Sequence, residues 1–149
     1  MNTRILLVDD EPHSREGLRD ALAREGHRVE TAPDGWQAIR KIKEGRFQVA
    51  LVNLDLAPYQ GVPLTGWDLF RIFRLYNPEL AVILMAADAW RAGRPRAEEL
   101  GVAAQVLEKP ISLAELKRLV REAGAPRAVP ASVPRPPRPS AVQLGESTA

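Results

Sequence analysis

The chain has 149 residues, 45% hydrophobic and 27% charged, which is enough apolar material for one domain with a real core. It has no cysteine, so disulfides and thiolate metal sites are excluded, and it shows neither a signal peptide nor an apolar run near the ~20 residues of a membrane span. The net charge of +2 is carried from Gly124 onward by three arginines against one glutamate; residues 1–123 balance, and no nucleic-acid surface or membrane contact is expected of a soluble, cytoplasmic chain.

In chain order, Arg4 to Val8 predicts a buried strand ending in Asp9, Asp10 and Glu11, with Pro12 opening a helix. Leu18, Ala21 and Leu22 give that helix its apolar face, and Gly26 stops it. His27 to Thr31 reads as a shorter, more polar strand nearer a sheet edge. Asp34 caps a second helix in which Trp36, Ile39 and Ile42 form the inner face and Gly45 the stop.

The run Phe47 to Leu56 carries no charge before Asp55, as befits a central parallel strand buried on both faces. Ala57 to Leu64 is an irregular loop. Thr65 and Asp68 make a capping pattern for a third helix with Leu69, Phe70 and Phe73 inside, closing before Pro78. Ala81 to Met85 predicts a fourth strand, Pro95 to Leu100 a short helix, and Gln105 to Leu107 a fifth strand. Ser112 and Glu115 cap a final helix with Leu113, Leu116, Leu119 and Val120 on its apolar face.

Strands alternating with helices predict an α/β fold, a doubly wound five-stranded parallel sheet with right-handed crossovers. Residues 1–123 form the domain; 124–149, with six of the thirteen prolines, read as a disordered or extended tail. The carboxyl edge of such a sheet gathers Asp9, Asp10, Asn53, Asp55, Ala86 and Lys109. Clustered carboxylates without histidine or cysteine suit a hard cation such as Mg²⁺, and the lysine would offset charge or hold a phosphoryl oxygen. Asp55 shares a strand side with Asn53, but two extended residues place it about 6.6 Å further on, away from Asp10 and Lys109 unless the strand bulges.

Four features together resemble the receiver domains of two-component response regulators: Ile5 to Glu11 at the first strand end, the apolar third strand ending at Asn53, Gly66 at the third helix, and Lys109-Pro110 after the fifth strand. The resemblance covers residues 4 to about 122 and implies the flavodoxin-like strand order 2-1-3-4-5. It implies that Asp9 and Asp10 bind Mg²⁺, that position 53 accepts a phosphoryl group from a histidine kinase, and that Lys109 contacts that group. It also implies that residue 55 offers the metal its backbone carbonyl and that the Lys-Pro bond is often cis. Asp9, Asp10 and Lys109 match the family pattern. Asn53 replaces the acceptor aspartate, Ala86 the switch hydroxyl and Val106 the switch aromatic ring, and Gln60 to Thr65 are inserted before Gly66.

The expected protein is therefore a pseudo-receiver, not an enzyme, working by protein-protein contact with a histidine kinase or an output protein. Its Mg²⁺ affinity would be weakened, with Asp9 and Asp10 as ligands and Asp55 as a weak third through its backbone carbonyl. The resemblance places its working surface on the fourth helical segment, the fifth strand and the last helix, with homodimerisation through that helix a further expectation. Rival readings are an active receiver using Asp55, an active receiver whose acceptor was replaced by Asn53, and a small Mg²⁺-dependent phosphotransfer enzyme. Nucleic-acid binding through the tail is a further rival.

Overall fold

Alternating residues of each central strand feed two separate cores, which fixes the layers of the molecule. Leu6, Val8, Ala50, Val52, Val82 and Leu84 point to one face of the sheet; Ile5, Leu7, Val49, Leu51, Ile83 and Met85 point to the other. The computed structural model describes residues 3–87 and 104–124. Its elements are β1 (Arg4–Val8), α1 (Pro12–Ala23), β2 (Arg28–Ala32), α2 (Gly35–Glu44), β3 (Val49–Asn53), α3 (Gly66–Tyr76), β4 (Ala81–Ala86), β5 (Ala104–Glu108) and α4 (Leu113–Gly124). The expected helix at Pro95 to Leu100 and the chain after Gly124 lie outside the described residues.

All neighbouring strands pair in parallel, in the order β2-β1-β3-β4-β5. Helices α2 and α3 cover the first face with Ala38, Ile42, Leu69, Phe70 and Phe73; α1 and α4 cover the second with Leu18, Leu22, Leu116, Leu119 and Val120. This is the doubly wound sheet that the strand and helix pattern predicts, in the flavodoxin-like strand order that the resemblance implies.

Helix starts follow the sequence signals. Pro12 opens α1, and the Glu11 carboxylate accepts the Ser14 N–H at 2.7 Å, which holds its pKa below the ordinary glutamate value. Asp34 accepts the Gln37 N–H, and Thr65 with Asp68 forms a reciprocal capping box on α3. Ser112 Oγ accepts the Glu115 N–H at 3.3 Å at the start of α4.

Three details depart from the sequence expectation. Strand β2 runs one residue later than His27 to Thr31, ending at the buried Ala32. Trp36 is 47% exposed: the inner face of α2 runs through Gly35, Ala38, Ile39 and Ile42, and Gly35 lies close under the α3 side, where a Cβ would sit 2.6 Å from Leu64 Cδ2 and 3.3 Å from Leu69 Cδ2. Leu113 is also exposed at the first turn of α4, before the helix face has rotated onto the sheet.

Candidate functional site

Strand register sets the site. Val8 pairs with Val52, so Asp9 and Asn53 leave β1 and β3 at the same level; Asn53 pairs with Met85, and Ala86 with Glu108, the residue before Lys109. The Lys109 N–H donates to Ala86 O at 2.8 Å, and the Lys109–Pro110 peptide is cis.

Asn53 is the hub, and it is buried. Its Nδ2 donates to Asp9 Oδ1 and to Asp10 Oδ1, each at 3.4 Å, while its Oδ1 accepts from Lys109 Nζ at 3.0 Å and from the Asp55 N–H at 3.0 Å. An amide has a donor end and an acceptor end. The acids face the donor and the lysine faces the acceptor, so the neutral side chain satisfies both kinds of neighbour.

Residues outside the sequence expectation complete the site. Asp9, almost fully buried, accepts the Glu11 N–H at 3.0 Å and the Ser14 hydroxyl at 2.8 Å, and its backbone carbonyl accepts from Arg15 Nη1 at 2.9 Å. Asp10 Oδ2 accepts the Ala57 N–H at 3.2 Å. Ser14 and Arg15 sit in the first turn of α1, the turn that follows the acids directly; that adjacency is the signal that could have found them.

Asp55 is not carried away from Lys109, contrary to the extended-strand expectation. β3 ends at Asn53, Leu54 and Asp55 form a turn, and the Asp55 N–H folds back onto the Asn53 side chain. The turn brings Asp55 Oδ2 to 2.9 Å from the Ala87 N, from which it accepts a hydrogen bond, and to 3.9 Å from Lys109 Nζ. No strand bulge is involved. Gly66 permits this course: a Cβ there would lie 2.7 Å from Leu54 Cα and 3.0 Å from Asn53 O.

Ala86 is fully buried and has no side-chain donor; Val106 is half-buried and packs against the core under α2 and α3. Two carboxylates thus lie on the nitrogen side of a neutral amide, and Lys109, with Asp55 at 3.9 Å, lies on its oxygen side. Asp9 and Asp10 converge on a single point, the Asn53 nitrogen, and their oxygens are hard donors of the kind Mg²⁺ takes. The donor set fits such an ion in kind, with an N–H where a further anionic ligand would serve it better.

Residues 5–121 match the response regulator receiver domain family, and the chain belongs to it. It is 29% identical over 118 residues to the transcriptional regulatory protein CusR of Escherichia coli strain K12, covering 79% of this chain and 49% of CusR. The chain spans about half the length of that relative. Among solved structures it is similar to the receiver domain of sensor histidine kinase PA1611 from Pseudomonas aeruginosa PAO1, which has a magnesium ion coordinated in its active-site cleft. The TM-score is 0.71 and the identity 27%, covering 84% of this chain and all of that one. It is also similar to response regulator protein TrrA from Thermotoga maritima in complex with Mg²⁺ and beryllium fluoride, with a TM-score of 0.66, 28% identity, and coverage of 81% and 98%. The protein is thus a receiver domain of two-component signalling.

Proposed function

We propose that this receiver domain signals without accepting a phosphoryl group, by binding a histidine kinase or an output protein in one standing conformation. The observation that carries the reading is Asn53, whose amide bonds both acids through nitrogen and Lys109 through oxygen. An amide oxygen is a poor nucleophile towards phosphorus, and here it is already occupied by the cation that would assist a transfer. Ala86 and Val106 support the same reading, since neither a hydroxyl nor an aromatic ring is available to relay a change. The receiver domain extends through Gly124, the last residue of α4, one residue beyond the boundary expected from sequence.

Asp9 and Asp10 would hold Mg²⁺, with weakened affinity because the neighbouring side chain adds no charge. The ion, when bound, would offset the repulsion of the carboxylates. No helix among the described residues is long and apolar enough to cross a membrane, and we place the protein in the cytoplasm as a non-enzymatic module.

A second reading, with Asp55 as acceptor, is favoured by one observation: its carboxylate lies 3.9 Å from Lys109 Nζ. Intact-mass spectrometry after incubation with acetyl phosphate and Mg²⁺ separates the two. The expected result is no phosphoryl adduct on the wild-type chain. An adduct that disappears in Asp55→Ala would overturn the proposal in favour of the second reading.

A further inference from the structure

Asp55 links three parts of the carboxyl edge at once. Its backbone N–H is held by Asn53 at the end of β3, its Oδ2 accepts the N–H of Ala87 just past β4, and the same oxygen faces Lys109 just past β5. Among the described residues Asp9 and Asp10 join the ends of β1 and β3 through Asn53, and Asp34 serves its own helix start; Asp55 is the carboxylate that reaches the ends of β4 and β5. The N–H of Ala87 and the Lys109 ammonium are a donor and a cation that converge on one oxygen, which is the arrangement that binds an oxyanion.

We infer that Asp55 is a built-in anionic latch: its carboxylate fills the oxyanion position between Ala87 N–H and Lys109, and it holds the ends of β3, β4 and β5 in the anion-occupied arrangement without any added group. The inference rests on the reading of the domain as non-accepting, and it explains how such a domain keeps a single conformation. The N–H···O⁻ bond at 2.9 Å supplies most of the hold; the Lys109 contact, at 3.9 Å and partly exposed on both sides, is screened by water and adds less.

The latch has a consequence for restoring an acceptor. Asn53→Asp supplies a carboxylate oxygen that can form a P–O bond as the P–O bond of acetyl phosphate breaks and acetate leaves. The incoming phosphoryl oxygens, however, then meet a position already filled by Asp55. Removing Asp55 vacates it.

The test compares acetyl phosphate labelling, with Mg²⁺, of the full chain carrying Asn53→Asp alone and Asn53→Asp with Asp55→Ala or Asp55→Asn, read by intact mass. The double variants are expected to label roughly tenfold faster or more than the single one, the factor that loss of a charge-assisted hydrogen bond permits. Equal or slower labelling in both folded double variants would overturn the latch. Amide hydrogen exchange at Ala87, in the chain with Asn53 retained, gives a second readout: Asp55→Ala is expected to speed it about tenfold, and unchanged exchange would also overturn it. Labelling of the wild-type chain would instead overturn the non-accepting reading, so the two failures are distinct.

Discussion

A single amide decides the electrostatics of this site. Asn53 gives Asp9 and Asp10 a shared Nδ2 donor and gives Lys109 an acceptor oxygen, so one neutral side chain meets both kinds of neighbour. Replacing it by a carboxylate removes both N–H donations and adds a buried like charge next to two others. Asn53→Asp is expected to lose about 1–3 kcal/mol of stability in metal-free buffer. It should regain much of that loss with Mg²⁺, which the extra carboxylate binds better. Thermal melts with and without the ion check this: a variant as stable as its parent without Mg²⁺ would mean that the amide does not hold the acids together. The acids, Asn53 and the lysine were all legible in the sequence, because each sits at or within two residues of a strand end. The placement of Asp55 was not, because an extended strand and a tight turn differ only in the backbone after Asn53.

At the scale of elements, two helical glycines make opposite demands. Gly66 opens α3 against the end of β3, where a Cβ would press on Leu54 Cα and Asn53 O; Gly17 lies in α1 with nothing within 4 Å of a built Cβ. Gly66→Ala is expected to cost about 1–3 kcal/mol through overpacking against backbone. Gly17→Ala should stabilise by about 0.5–1 kcal/mol, since alanine loses less freedom on entering a helix. Urea unfolding of the two variants reads both, and a shared sign would contradict the packing described. Caps were readable from short motifs because their hydrogen bonds span only three residues, as with Thr65 and Asp68. Ile39 and Ile42 were read correctly on the inner face of α2, but Trp36 was not, because periodicity alone fits several rotations of a short helix and only the approach of Leu64 and Leu69 selects Gly35.

Over the whole molecule, the central sheet separates two cores that share strands but no side chains. Leu7 belongs to the face under α1 and α4, Leu84 to the face under α2 and α3, and β3 lies between their strands. Leu7→Ala and Leu84→Ala are each expected to cost about 2–5 kcal/mol. Because they sit about 10 Å apart on opposite faces, their effects should add to within about 0.5 kcal/mol. Denaturation of the single and double variants measures the sum; strong coupling would show that the two cores are not independent. The sequence by itself determined the order and type of the described elements, the parallel sheet and the set of residues at its carboxyl edge, since hydrophobic period and capping are local properties. Tertiary structure alone decided the partners of each polar atom: which end of Asn53 faces the acids, that Ser14 and Ala57 support Asp9 and Asp10, and that Asp55 turns back to Ala87 and Lys109. Those pairings join strand ends up to 56 residues apart in the chain, and only the register of the folded sheet brings them within hydrogen-bond reach.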